Sequence, residues 1–472
     1  MFALFKQNAL YVLYYFGLFL ALISIIGKTR GAFYFLIFLL PLRNVIERMH
    51  IFALGRDYLD ILVGFLIIGT LVAQFTRRTK EEKTPISPIG IMAVVLIVYT
   101  TVSLFIGTFY LNLPRIFSFA DPRIQTWKNF CIMPLLFFIT LGNMDDKKTI
   151  GRTVFVMCVT IAIMDMYLFR QMSWYSSLVS RNKINGTFVY LGPNELAAFY
   201  NQYTIILMAL FLSMRKKFWR LGLGALVCTN IYCVLFLFSR AAYIASAVGM
   251  GILFLVRKKI LLIPLIIVII CWHTILPAKV QERINMTTNE FGELDESAAN
   301  RLLIWEKAIE VFQKNAFMGV GYGVFSTIDT EFLLDTHNIY LKILAEQGVV
   351  GFVVFLLLML VMFSRGIKLY RNGDDELSRA LGIGFACAII MLMINNMFGD
   401  RWTYLEVSSY LWIFAGLVEA LNMKSGQVMI ELEESRKKER IKAQSPAVHP
   451  PQPGENGQNK PKRKKYYNYY KE

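Results

Sequence analysis

Apolar runs recur along the whole chain, and each full-length run of about 17–22 residues can cross roughly 30 Å of hydrocarbon as a helix. They lie near 9–27, 57–75, 88–107, 127–142, 152–170, 195–213, 221–238, 241–256, 260–276, 349–364, 381–398 and 404–421, with a shorter one at 31–42. The pattern predicts about twelve or thirteen crossings. Helices close their own backbone hydrogen bonds, as lipid requires, and the short alternating segments of a membrane barrel do not occur. The expected fold class is therefore an all-α polytopic membrane protein. Composition agrees: 56% of residues are hydrophobic and the mean hydropathy is +0.48, more apolar than soluble domains at about 45–50%.

Charge then orients the helices. The patches "RRTKEEK" (77–83), "DDKK" (145–148), "RKK" (215–217), "RKK" (257–259) and "RGIKLYR" (365–371) alternate with less basic connections, and excess Lys/Arg marks the cytoplasmic side. The side of the N-terminus stays open, because Lys28 and Arg30 are basic too. No cleavable signal peptide is expected, since the first apolar run is long and no small-residue cleavage pattern follows it. The connection from 277 to 347 faces away from the cytoplasm and is the one large external loop. Domain organisation follows as a transmembrane bundle over 1–423, containing the loop 277–347, and a basic, mostly disordered cytoplasmic tail over 424–472. The tail opens as a charged helix and runs through "SPAVHPPQPGENGQNKPK", too polar to build a core. The net charge of +17 suits membrane lipids with anionic headgroups. No folded basic domain presents it to nucleic acid. The six cysteines lie within or beside apolar runs, so no disulfide framework and no zinc spacing is expected.

The external loop holds the chemistry. "DESAANRLLIWEKAIEVFQ" places Leu302, Ile304, Trp305, Ala308, Ile309 and Phe312 at helical spacing, an amphipathic helix lying on the bundle or the membrane surface, with Ser297 as its start cap. Arg301 and Trp305 share a face four residues apart. Next comes "FMGVGYGVF", with Gly319, Gly321 and Gly323 alternating, a pattern that permits unusual backbone angles. In "DTHNIYLKILAEQG", Thr336 is the expected cap of a helix broken near Gly348. His337 would then sit in its first turn, where the positive end of the helix dipole favours a neutral ring able to accept a proton.

Together with "YLGPNELA" (190–197) and "FSRAAYIA" (238–245), these motifs resemble the O-antigen ligase and polymerase superfamily of bacterial envelope glycosyltransferases. The resemblance rests on the Ser-Arg turn, the Arg followed four residues later by Trp, the "GVGYG" turn and the His-Asn-x-Tyr-Leu run leading to Glu-x-Gly, over roughly 180–365. It implies a GT-C-like bundle in the bacterial inner membrane with its active site facing the periplasm or outside. There, a glycan on undecaprenyl diphosphate passes to an acceptor hydroxyl with inversion, without metal or other cofactor. A diphosphate leaving group then needs multidentate cationic donors, for which Arg is suited. The expected catalytic residues are Arg240, Arg301 and His337, the last deprotonating or orienting the hydroxyl. Arg181, Asn194, Glu195, Trp305, Asn338 and Tyr340 are expected substrate contacts. Asp165, inside an apolar run, is expected to pair with Arg170, and Asp400 with Arg401.

The expected reaction is polymerisation of O-antigen or exopolysaccharide repeats, with transfer of polymer to lipid A-core by a ligase as the alternative. The tail could join other polysaccharide-assembly proteins. A lipid-linked oligosaccharide flippase is the alternative of another class; it would carry charged groups near the midplane and show related halves.

Overall fold

A computed structural model describes residues 2–77, 86–114, 121–174, 181–285, 296–328 and 335–444, and no strand occurs among them. Side chains at 2–7, 77, 296–299 and 426–444 lie outside the description, as do residues 78–85 of the first basic patch and the tail from 445. The proposed cap Ser297 is among these side chains. Two units divide the chain, Met1–Ser425 and Gly426–Glu472.

The chain is an all-α polytopic membrane protein. Its first helices are α1 (Phe2–Ile25), α2 (Arg30–Leu39), α3 (Arg43–Arg48), α4 (Tyr58–Arg77), α5 (Pro88–Tyr110), α6 (Pro122–Asn143) and α7 (Lys147–Trp174). The middle of the chain forms α8 (Pro193–Ser213), α9 (Lys217–Phe236), α10 (Arg240–Arg257) and the short α11 (Leu262–Ile270) and α12 (Trp272–Ile275). The long loop contributes α13 (Ala278–Asn285), α14 (Glu296–Lys314) and α15 (Phe325–Ile328), followed by α16 (Ile339–Asn372), α17 (Glu376–Asn395) and α18 (Leu405–Gln444). Ten of the helices among the described residues are long and apolar enough to cross a membrane. The runs at 31–42 and 260–276 are shorter helices. α18 begins with a nearly fully buried apolar stretch from Leu405 to Leu421.

The shortness of α2 has a geometric cause. At one end Arg30 pairs with Asp145 at 2.6 Å, and just beyond the other the Pro41 carbonyl accepts a hydrogen bond from Thr187 Oγ1 at 2.7 Å. That interval spans about 16 Å of helix, roughly half the hydrocarbon thickness. The segment around Thr187, at the loop end of the bundle, is thereby fastened to the end of α2. This loop end is opposite the basic end, where Lys147–Asp375, Arg257–Glu376 and Arg365–Glu419 ion pairs tie helices together.

α8 is the axis of the bundle. It packs on α9, α10 and α17, and 16 of its side chains from Pro193 to Leu210 are buried. α17 can lie close because small residues face it, with Gly384 against the Ile206 backbone, the packing that substitutes for hydrophobic drive in lipid. Polar side chains of α8 find partners on its neighbours: Asn201 accepts from Asn395 at 3.1 Å, and Tyr203 donates to the Val407 carbonyl at 2.6 Å. Asp165 does not pair with Arg170, which stacks on Trp174. A carboxylate in a span needs donors on facing helices, and those on α9 supply them: Thr229 at 2.7 Å, Cys233 at 3.7 Å, and Asn230 at 3.1 Å with its amide nitrogen turned toward it.

α14 lies on the bundle against α16, burying Ile304, Ala308 and Val311, while Leu302 and Ile309 stay exposed. The glycine turn after it locks into a break in α16, where Gly348 has φ +65°. Gly321, at φ +110°, crosses α5 so closely that a Cβ would lie 2.1 Å from the Gly107 Cα. The Glu346 carboxylate accepts the backbone N–H groups of Gly323 (3.0 Å) and Phe325 (3.3 Å), and the Glu346 carbonyl that of Gly321 (2.7 Å). The alternate glycines thus serve close approach to the protein's own backbone. Gly321→Ala should cost about 2–4 kcal/mol, read as a lower thermal midpoint in detergent. Gly64→Ala, where nothing lies within 4 Å, should leave the midpoint level or slightly raised. A Gly321→Ala protein melting with the unaltered one would show that the turn does not lock the helix.

Candidate functional site

His337 stands at the loop end, one residue before the helix that carries its neighbours. The cap of α16 is Asn338, whose side-chain oxygen accepts from Tyr340 N at 3.0 Å and Leu341 N at 3.3 Å. Thr336, expected as the cap, instead donates its hydroxyl to the Asn338 carbonyl at 2.8 Å. Asn is a better cap than Thr and displaces it by two positions. His337 is therefore outside the first helical turn, in the left-handed region with φ +50°, an uncommon conformation that surrounding contacts must hold. The Trp305 indole holds it from one side, donating to the Thr336 carbonyl at 2.9 Å.

Burial and then the charge of Arg301 lower the His337 pKa below its ordinary value; Arg401 acts the same way, and Asp335 and Glu195 oppose. The ring is thus neutral at pH 7, as the sequence suggests, though burial and Arg301 account for it.

A second cationic group surrounds the turn between α9 and α10. Arg181, buried, donates Nε to the Leu237 carbonyl at 2.9 Å and Nη2 to Asn194 Oδ1 at 2.5 Å. Arg283 donates to the next carbonyl, Phe238, at 3.2 Å, where the backbone has φ +52°. Arg240 opens α10 directly after Ser239. Burial, then Arg283, and further on Arg240, push the Arg181 guanidinium down to about 10. So many like charges gathered in one place ask for an anion.

Glu195 belongs to both groups. It acts electrostatically on Arg181 and on His337, and it accepts from Arg401 Nη1 at 2.6 Å. Arg401 does not pair with the side chain of Asp400, because that carboxylate is taken up within the bundle. Asp400 is 2% exposed and accepts from Lys342 Nζ at 2.9 Å, from the N–H groups of Trp402 and Thr403, and from the Thr403 hydroxyl. Burial alone would raise its pKa; Lys342 and Thr403 hold it low. Lys342 also reaches Asp335 at 3.1 Å, tying the segment before His337 to the 400–403 turn. A cavity of about 20 Å³ beside Lys342 and Glu346 has room for one water.

The expected residues thus fall into distinct positions. Arg301, Trp305, Asn338 and Glu195 gather around His337, and Arg181, Asn194 and Arg240 around the α9–α10 turn. Tyr340 turns its hydroxyl to the Met393 carbonyl at 2.6 Å. Arg283, Lys342 and Asp335 were not anticipated. Lys342 and Glu346 carried a signal: two opposite charges four apart in an apolar helix share a face and must find buried partners. Arg283 carried none, since its role depends on a carbonyl far away in sequence. Among the described residues no group of three His, Cys, Asp or Glu is placed to hold a metal ion.

These features define a multi-pass helical membrane protein with arginines and a half-buried histidine gathered at its loop end. Residues 224–356 match the family model Wzy_C, described as O-antigen ligase, which supports placing the chain in the O-antigen ligase and polymerase superfamily. The family points to a glycosyltransferase-like enzyme working on lipid-linked glycans in the membrane. The match takes in Arg240, Arg283, Arg301, Trp305, His337, Asn338 and Tyr340, and ends before Arg401. A comparison with curated proteins found no match.

Two measurements test the electrostatics. With ¹³C-labelled histidine, the His337 resonance should titrate below the ordinary value of about 6.5, and Arg301→Gln should move it upward. A midpoint at or above that value in the unaltered protein would refute the reading. Because the native pKa lies below the unfolded one, this histidine costs no stability above about pH 6.5 and erodes it as pH falls further, where the unfolded chain takes up the proton first. Lys342→Met should cost about 3–5 kcal/mol in unfolding free energy, since it leaves Asp400 buried and unpaired. Adding Asp400→Asn should return part of that loss, and a double variant no more stable than the single one would count against the pairing.

Proposed function

We propose that this protein transfers a glycan from undecaprenyl diphosphate to an acceptor hydroxyl at the periplasmic or outer face of the bacterial inner membrane. The observation that carries the reading is the half-buried His337, its pKa lowered, beside Arg301, with a separate crowd of Arg181, Arg240 and Arg283 joined to it through Glu195. A base and a diphosphate cradle are the two things this chemistry needs. The acceptor hydroxyl gives its proton to the imidazole as its oxygen bonds to the anomeric carbon from the face opposite the leaving group. The bond from that carbon to the diphosphate oxygen breaks, and its electron pair leaves on the diphosphate. Arginines at the α9–α10 turn meet the developing charge with paired N–H donors, so inversion without a metal is part of the proposal. Arg240 and Arg301 act on the leaving group, and Arg181, Asn194 and Glu195 shape the cradle. Trp305 and Asn338 hold the His337 backbone, and Tyr340 anchors the helix start.

The reading takes the product to be polymerised repeats of O-antigen or exopolysaccharide. Transfer to lipid A-core is the second reading, favoured by the description of the matching family. A flippase is less well supported, because the charged groups gather at the loop end; Asp165 within a span has neutral donors around it.

The test is the glycan content of a deletion strain carrying the intact gene or His337→Ala, by gel and mass spectrometry. His337→Ala should lower product by about 100-fold or more, the ordinary contribution of a general base. Single repeats left on the lipid identify a polymerase, and long chains stranded there a ligase. Wild-type product from His337→Ala would end the mechanism, and unchanged pools in the deletion strain would end the glycosyltransferase reading.

A further inference from the structure

Tyr190 is turned the wrong way round for a membrane-boundary tyrosine. Such a residue keeps its ring in the apolar layer and its hydroxyl among headgroups and water. Here the hydroxyl points into the protein, donating to Glu406 Oε1 at 2.7 Å, while the residue remains 57% exposed. The ring carbons are what it offers to the outside. The Arg43 guanidinium lies 5.6 Å from the ring centroid, and Glu47 is 3.4 Å from Arg43. Both are partly exposed, with side-chain exposures of 25% and 34%.

The presentation is built. Val189 has φ +64°, a conformation that a β-branched residue adopts only under constraint. Asn185 donates to its carbonyl, Asn185 accepts from Gln171 at 3.1 Å, and the Gly186 N–H is held by Gln171 Oε1 at 2.8 Å. The α3 segment is fastened to the same turn, the Asn44 N–H donating to the Thr187 carbonyl at 3.0 Å. Glu406 is 2% exposed, its Oε1 also lies 3.9 Å from Arg43 Nε, and its second oxygen, Oε2, has no hydrogen-bond partner among the described residues. An acceptor left open in a buried site is costly unless something fills the need.

Position completes the case. Tyr190 lies just before α8, whose first turn carries Glu195; Arg401 lies just before α18, whose first turn carries Glu406; and Glu195 and Arg401 are paired at 2.6 Å. The platform is therefore attached to the His337 site through two chain segments. An exposed tyrosine ring with a guanidinium over one face and carboxylates beside it is chemistry that recognises a pyranose: the other face of the ring packs on axial C–H groups, and the charged groups take paired hydroxyls.

We infer that Tyr190, Arg43 and Glu47, with Glu406 holding the tyrosine, form a subsite for a sugar of the glycan beyond the reacting residue. The inference rests on the glycosyltransferase reading for its ligand class. The subsite grips the chain and sets how far from its end transfer occurs, so it acts on binding and on product length, whereas His337 acts on bond formation.

The test uses the full-length protein in detergent and, as probe, oligosaccharides released by mild acid from the host strain's own surface polysaccharide. Tyr190→Ala and Arg43→Gln should each weaken binding by about fivefold or more, and cells carrying either should make product of altered chain length. His337→Ala should bind the same probe within about twofold of the intact protein, while its cells lose product. Arg43→Gln leaves the tyrosine in place, so it decides the matter if Tyr190→Ala fails to fold. Binding by both variants within about twofold of the intact protein would overturn the subsite, as would an intact protein that does not bind the probe. A His337→Ala strain with normal product strikes the mechanism, and a fivefold loss at Tyr190 in the same experiment would leave the subsite standing.

Discussion

The break in α16 is the constraint on which the loop end depends. Gly348, at φ +65°, lets the helix change direction, and its own packing is tight enough that a Cβ would lie 2.3 Å from the Phe317 carbonyl oxygen. The turn from Gly319 to Gly323 fits into that break, and Glu346 fastens it by accepting two N–H groups that would otherwise be buried without partners. The half-helix before the break is thereby aimed at the 400–403 turn. It brings the Asn338 cap, the left-handed His337 and Lys342 with it. Buried backbone groups, unable to find water, must be satisfied inside the protein, so the break and the turn require each other.

Electrostatics then divides the labour at that end. Lys342 bridges two acids, Asp335 and Asp400, and Arg401 pairs with Glu195. Arg181 and Arg283 donate to the carbonyls of the α9–α10 turn, which orient them, and Arg240 lies close enough to act on Arg181. Arginine suits that place, since its guanidinium stays charged under conditions that would deprotonate a buried lysine. At His337 the causes are different: burial first, then Arg301, lower its pKa.

Much of this was legible in the chain and some was not. The membrane-crossing runs were plain, because roughly 20 apolar residues can hardly do anything else. His337, Arg240 and Arg301 stood out as polar groups in short motifs, and the break at Gly348 was readable from Glu-x-Gly before an apolar run. The cap of α16 was misplaced by two residues, since Thr336 and Asn338 are both competent caps and Asn is the stronger of the two. Asp165 and Asp400 were given sequence neighbours as partners; their true partners stand on other helices.

The sequence by itself determined the helical membrane class, the apolar lengths, the helix break and the residue types able to hold an anion and accept a proton. Periodicity and hydropathy are local properties, so they survive without knowledge of the fold. Tertiary structure alone decided which charges meet, that Arg283 joins Arg181 at the α9–α10 turn, that Glu195 links the two cationic groups, and that Tyr190 faces outward with its hydroxyl inward. Those contacts join residues tens to hundreds of positions apart, and their strength comes from burial, which exists only once the helices have packed.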